Sequence, residues 1–481
     1  MVAFLADPAT HGGAPVETVT THISRLFLAG DRAWKMKRAL GTNYLDFTTL
    51  ALREASCRRE LEVNRAAGPL YLGVVPVVRR AGRLPLGGAG EPVEWLVEMR
   101  RFDRARELDR LCEAGTLTLP VVERLADAIA ALHRAAPETP AHGDPDDVRA
   151  RIAQIAGALD AAGAGAADWA AAARAACEAN VPLIARRHRL GRVRRCHGDL
   201  HLGNVVLIGE DPVPFDAIEF NEAIASIDVL YDLAFALADL ATRGRPDLAS
   251  ALLSRYLGAT RDFAGLPLLP LFLSMRGAVR AMTAASRGDA AAAGRHLAFA
   301  RAALAPAPPP RLLAVGGMSG TGKSTLARAL APRLAPLALV LRSDVTRKRL
   351  AGVAPETPLP PSGYTAAMDR KVLIRLAWDA RIALRAGATV VLDATFLGPD
   401  WRACAAALAA AEGVPFTGLW LEISPAEAAA RVGRRSADAS DATPEVVARQ
   451  TARAATPAGW RPVDAGQPPA AVLAAAEAAL G

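Results

Sequence analysis

Cysteine is scarce in this 481-residue sequence, and the five present (Cys57, Cys112, Cys177, Cys196 and Cys404) stand far apart with no close pair. An odd, scattered set excludes both a zinc motif and a disulfide framework, and a reducing, cytoplasmic compartment is expected. No basic-then-apolar leader opens the chain. Its most apolar segment, Leu266 to Met275, is short and broken by Pro270, so no membrane span and no membrane partner are expected. Internal repeats are missing as well. Lysine is sparse in the C-terminal part, which gives little basis for a nucleic-acid groove, and nucleic acid is not expected as a partner.

What remains is a globular composition. Hydrophobic residues make up 52% and charged residues 22%, enough apolar surface to offset the entropy of folding. The length exceeds what one core accommodates, so two domains are expected. The formal charge of +8 is spread along the chain and suits anionic ligands such as nucleotides. The clearest punctuation is "LAPAPPPR", Leu304 to Arg311, whose prolines remove backbone donors and hold the chain extended. It divides the chain into expected domains at 1–303 and 312–481, with 304–311 as linker.

Upstream of the linker, "SRLFLAGDRAWKMK" alternates around Gly30-Asp31 and reads as a hairpin, while "VEWLVEMRRF" reads as a strand. "TTLALREASCRRELEVNRAA" has helical spacing, and helical patterns dominate after about residue 105. Downstream, "RLLAVGGMSG", "LALVLRSD", "ATVVLDATF" and "FTGLWLEIS" are short apolar runs between helical ones, the pattern of a parallel sheet covered on both faces.

Two stretches concentrate polar chemistry. "CHGDLHLGN", Cys196 to Asn204, has the H-x-D-x-x-x-x-N spacing of a kinase-type catalytic loop. Transfer of a phosphoryl group to a hydroxyl needs a carboxylate to orient the attacking oxygen, which Asp199 would supply, and hard ligands for a magnesium ion. Asn204 is one such ligand, and Asp216 in "PFDAIEFN" is the second. These residues resemble the aminoglycoside phosphotransferase and choline kinase group over roughly residues 20 to 300. The resemblance implies a bilobal kinase-like fold acting on small-molecule hydroxyls. It also implies an ATP lysine and a helix glutamate: Lys35, which precedes the apolar Met36, is preferred for the first role with Lys37 open, and Glu60, then Glu62, suits the second. His201 and Glu219 are then candidates to contact substrate, and "DVLYDLAFAL", with Asp228 and Asp232, resembles the family segment whose aspartate braces the loop. No G-x-G-x-x-G precedes the lysine strand, so Ser24 and neighbouring amides would cover the phosphates.

The other stretch, "GGMSGTGKST", matches the P-loop pattern from Gly317 to Ser324, between an apolar strand and a helical run. Its glycines let successive amides turn toward a phosphate. Gly317, Ser319, Gly320, Thr321, Gly322, Lys323, Ser324 and Thr325 form the expected nucleotide cradle, with Lys323 on the outer phosphates and Ser324 on magnesium. The remainder resembles the small P-loop kinases, the group that includes gluconate kinase, polynucleotide kinase and the zeta toxins. That resemblance implies a catalytic Asp344, a substrate-binding Arg347, an Asp393 ordering the magnesium shell, and lid arginines Arg431, Arg434 and Arg435.

The expected fold is therefore an α+β protein-kinase-like bilobal domain followed by an α/β P-loop domain with a parallel sheet. The expected function is ATP- and Mg2+-dependent phosphoryl transfer to small-molecule hydroxyls by both domains. The sequence leaves two alternatives: a single active P-loop kinase whose upstream lobe binds or regulates, and a nucleic-acid end kinase.

Overall fold

In the computed structural model, residues 1–41, 45–65, 68–334, 338–434 and 439–480 are described. The packing units do not follow a single cut in the chain. The first unit comprises Met1–Arg243 and Leu271–Arg301, and the second comprises Gly244–Pro270 and Ala302–Gly481.

The first unit opens with an antiparallel sheet of five strands: β1 (Val16–Thr20), β2 (Ser24–Ala29), β3 (Arg32–Lys37), β4 (Tyr71–Arg79) and β5 (Glu91–Arg100), in the order β1-β2-β3-β5-β4. The expected hairpin is β2–β3, closed at Gly30-Asp31, and β5 is the expected later strand. Helix Leu50–Arg65 lies against the sheet and carries Glu60. Its buried positions are Arg53, Ser56, Cys57, Glu60 and Asn64, spaced three and four apart. This inward stripe is largely polar, which is tolerable only if each group finds a partner.

Mostly helical chain follows, interrupted by β6 (Val193–Arg195), β7 (Val205–Ile208), β8 (Asp211–Pro214) and β9 (Ser226–Asp228). β7 and β8 pair as a hairpin, Val205 opposite Pro214, so Asn204 and Phe215 meet at its open end. A two-stranded ribbon thus returns the chain to the point it left. Helix Val229–Thr242, buried through Leu240, runs beneath the loop at residues 196–204.

In the second unit β10 (Leu312–Gly316), β11 (Ala338–Arg342), β12 (Thr389–Asp393), β13 (Phe416–Glu422) and β14 (Arg461–Asp464) form a wholly parallel sheet in the order β11-β12-β10-β13-β14. Four of these strands were expected. β14, four residues with a proline, has no apolar run to announce it. The edge strand β11 is covered by helix Pro246–Thr260, which buries Leu248, Leu252, Leu253, Tyr256 and Leu257. Ser254 accepts a hydrogen bond from the Val340 amide at 3.0 Å, and Ser250 donates to the Ala338 carbonyl at 3.3 Å. An open strand edge is thereby satisfied by side-chain hydroxyls.

All five cysteines are free, and among the described residues no helix is long and apolar enough to cross a membrane. Replacing Ser254 by alanine is expected to cost about 1 kcal/mol and to speed hydrogen exchange at the Val340 amide more than at interior β10 amides. Equal protection in both proteins would show that the hydroxyl does not guard this edge.

Candidate active sites

The first site is assembled from β3, the helix Leu50–Arg65 and the two turns flanking the β7–β8 hairpin. Lys35 and Lys37 lie two apart on β3 and share a face. Lys35 Nζ sits 2.7 Å from Glu60 Oε1 and also reaches Asp216. Lys37 Nζ sits 2.5 Å from Glu60 Oε2 and also reaches Glu219. The result is an alternating row, Asp216–Lys35–Glu60–Lys37–Glu219. Burial would push the Glu60 carboxyl upward, but the two ammoniums beside it prevail and hold it down at about 2. Burial likewise opposes the charges of both lysines, yet the surrounding carboxylates hold both above the ordinary lysine value.

The two ends of this row differ in access. The Lys37 side chain is fully buried and that of Glu219 is 3% exposed, whereas that of Asp216 is 46% exposed. Glu219, expected to touch substrate, is therefore enclosed, and so is Lys37. Asp216 adopts a left-handed backbone, φ 62°, a strained conformation for a residue with a side chain. Two groups unnoticed in the sequence hold it there. Tyr71 Oη accepts from the Asp216 amide at 3.0 Å, and Asn64 Oδ1 accepts from the Ala217 amide at 2.9 Å. Asn64 stands one helical turn beyond Glu60, and that spacing was the one available clue.

In the catalytic loop Asn204 Nδ2 donates to the carbonyl and to Oδ2 of Asp199, both at 2.9 Å, and the Phe215 amide donates to the Asn204 carbonyl at 2.9 Å. Asp199, Asn204 and Asp216 are thus brought together. His201 Nε2 lies 3.5 Å from Asp199 Oδ2, and its Nδ1 accepts from Gly203, so the ring braces the loop. Its surroundings disfavour charge on Asp199, but His201 prevails, and the carboxyl stays below the ordinary carboxylate range. Of the two aspartates Asp228 and Asp232, it is Asp232 that braces the loop: fully buried, it accepts the amides of His197 at 3.2 Å and Gly198 at 2.9 Å, with His133 Nε2 at 3.1 Å, whereas Asp228 pairs with Arg187 at 2.6 Å. The β1–β2 turn lies at the Lys37 end of the sheet and is closed by Thr21 Oγ1, which accepts the Ser24 amide at 3.0 Å. A hydroxyl-capped turn stands where a glycine-rich one would be.

The second site surrounds the turn between β10 and helix Lys323–Leu330. Gly320 has φ 85°, and a Cβ there would come within 2.3 Å of the Ala428 carbonyl oxygen; Gly317, φ 134°, would meet the Leu421 carbonyl oxygen at 2.7 Å. Only glycine fits either place. Thr321 is buried and donates to the Met318 carbonyl at 2.9 Å, and Thr325 is exposed. Lys323 Nζ donates to the Met318 carbonyl at 2.6 Å, arching over the loop. Ser324 Oγ lies 2.5 Å from Asp393 Oδ2, which also accepts Arg342 Nε at 3.2 Å. Burial, with Asp393 nearby, raises the Asp344 carboxyl above its ordinary value.

Other expectations are met differently. Arg347 is buried, bound to Asp369 at 2.6 Å and to the Gly363 carbonyl at 3.2 Å, with its guanidinium over the Tyr364 ring. Its charge is answered within the protein. Arg431 pairs with Glu427 at 2.7 Å on one helix, Arg434 is exposed beyond it, and Arg435 lies outside the described residues. Two further residues carry no local sequence signal: Gln450, whose Oε1 accepts the Ser319 amide at 2.8 Å, and Asp441, which joins Lys348 at 2.7 Å to the Leu359 amide at 2.9 Å.

Among known proteins, the family model described as "Phosphotransferase enzyme family" matches residues 45–268, and one described as "AAA domain" matches 312–457. The uncharacterized protein Rv2004c of Mycobacterium tuberculosis is 32% identical over 465 residues, covering 92% of this chain and 90% of its own; Mb2027c of Mycobacterium bovis matches equally. A choline/ethanolamine kinase family protein from Mesorhizobium loti is similar over 63% of this chain and 93% of its own, at 16% identity and TM-score 0.39. A gluconokinase from Sinorhizobium meliloti is similar over 36% of this chain and 91% of its own, at 23% identity and TM-score 0.27.

Replacing Glu60 by glutamine leaves two buried lysines short of a carboxylate, and is expected to cost about 3–5 kcal/mol at neutral pH. The native ionised Glu60 contributes stability above its unfolded value of 4.5, and loses it as pH falls toward about 2. Unfolding curves of the two proteins should therefore converge in acid; a gap that stays constant with pH would contradict a charged Glu60.

Proposed function

Because the chain belongs to one family with these mycobacterial proteins, and joins a phosphotransferase-enzyme domain to a P-loop AAA domain, we propose that it is a bifunctional, ATP-dependent phosphotransferase. Each unit transfers the γ-phosphate to a hydroxyl of a small molecule, of sugar-like or amino-alcohol type. The observation that carries this reading is the convergence of Asp199, Asn204 and Asp216, with Lys35 bridging Asp216 to Glu60. A lobe that only bound a ligand would have no need of this set.

The donor chemistry fits a hard cation. Asn204 commits its amide nitrogen to Asp199, which leaves its oxygen as the donor for a cation, and three carboxylates, Asp216 half-exposed, face two lysines in the row, an excess of one negative charge. Asn204 with Asp216, and Ser324 with Asp393, would hold Mg2+, whose chemistry is to neutralise the phosphate oxygens. Lys35, the more accessible of the pair on β3, is the lysine for the phosphates. Asp199, held ionised, orients the acceptor hydroxyl and receives its proton late in the transfer. In the second unit the Gly317–Ser324 amides and Lys323 cradle the phosphates, and Asp344, with its raised affinity for a proton, faces the acceptor. Because Asp369 already neutralises Arg347, the second acceptor has no need of an acidic group.

Labelled ATP and fractionated metabolite pools test the reading with three proteins. Asp199→Ala is expected to lower transfer to one acceptor on the order of 10²–10⁴-fold and spare the other. Lys323→Ala should lower the second activity on the order of 10²-fold or more and leave the first. Loss of both activities in either variant would refute separate sites.

A further inference from the structure

We propose that Lys37 and Glu219 are a positioning pair that locks the Glu60 helix in its working place without nucleotide, leaving Lys35 free to exchange Asp216 for phosphate oxygens. The inference rests on reading the first unit as a nucleotide-dependent phosphotransferase, and adds to it a division of labour between two neighbouring lysines.

The argument starts from access. With side-chain exposures of 0% and 3%, Lys37 and Glu219 have no surface to offer a ligand, so neither is a phosphate or substrate contact. Their partners show what they hold. Glu60 splits its two oxygens, Oε1 to Lys35 and Oε2 to Lys37. Glu219 Oε1 accepts from Lys37 and also from Ser56 Oγ at 3.3 Å. Ser56 and Glu60 are one turn apart on the same helix, so this pair ties two successive turns of it to β3. Glu219 also stands three residues after Asp216, and its tether fixes the chain just beyond the exposed carboxylate.

Consider next what happens when Lys35 moves. Were it the only cation near Glu60, its departure toward a phosphate would strand a buried carboxylate, and the helix would shift outward to hydrate it. With Lys37 in place, Glu60 keeps a partner at 2.5 Å throughout. The helix then need not be driven in by a separate activating event.

The experiment uses the full chain carrying Lys323→Ala, so that nucleotide binding reports on the first unit. Lys37→Met alone should unfold at lower temperature, because Glu60 and Glu219 lose a shared cation. Lys37→Met/Glu219→Met removes both charges and should regain most of that loss. In this restored double variant, amide exchange across residues 56–64 should still rise without nucleotide, and ADP with Mg2+ should bind about 10–100-fold more weakly. Lys35→Met is the contrast: weak nucleotide binding with native exchange across the helix. A restored double variant with native exchange in the helix overturns the positioning role, whatever it binds. Native exchange lost as expected, but with no nucleotide bound by the Lys323→Ala parent, would instead overturn the reading of this unit as a nucleotide site, and with it the role of Lys35.

Discussion

Glu60 carries its charge where water does not reach it, and the first unit is arranged around that fact. An isolated carboxylate in such a place would cost several kcal/mol, so it is flanked by two ammoniums, each shared with a further carboxylate. The row leads from a closed end at Glu219 to an open end at Asp216. Charge is thus balanced by neighbours in the interior and ends, at the open side, on the half-exposed carboxylate of Asp216. The loop that carries Asp199 depends on a similar device, since Asp232 gathers the amides of His197 and Gly198 just before it.

The second site is built by other means. Its cradle is main chain, made possible by two glycines at places where any side chain would strike a carbonyl. Partial charges of the amides and of the helix N-terminus replace the buried lysine row. Such a cradle is built from one uninterrupted stretch, with Gln450 and Asp393 as its side-chain partners, while the first site draws on residues from β3 to the turn after β8.

That contrast accounts for what could be read from the sequence. The P-loop and the H-x-D-x-x-x-x-N loop are contiguous, so their spacing speaks directly, and the β2–β3 hairpin, β5 and four parallel strands follow from alternation or apolar runs. β1, β4 and β14 were not seen, because their burial alternates weakly or not at all. Lys35 and Lys37 could not be separated from spacing, since two residues on one face of a strand look alike until their depths are known. Tyr71 and Gln450 each accept a single main-chain amide, and Asp441 ties Lys348 to the Leu359 amide, all across long sequence distances, and local pattern carries no trace of these. Arg347 was expected to receive an acidic ligand; Asp369, a helix away, answers it first.

Helix Pro246–Thr260 covers β11, a strand that is made much later, after the whole of Leu271–Arg301 has returned to the first unit. At a ribosomal pace of roughly 5–20 residues per second, its leucines wait several seconds for the surface that will hide them. Assembly on the ribosome therefore cannot proceed strictly one unit after the other. The nascent chain carries an apolar helix without its covering surface meanwhile, and a cut at the proline-rich stretch would leave that helix on the wrong fragment.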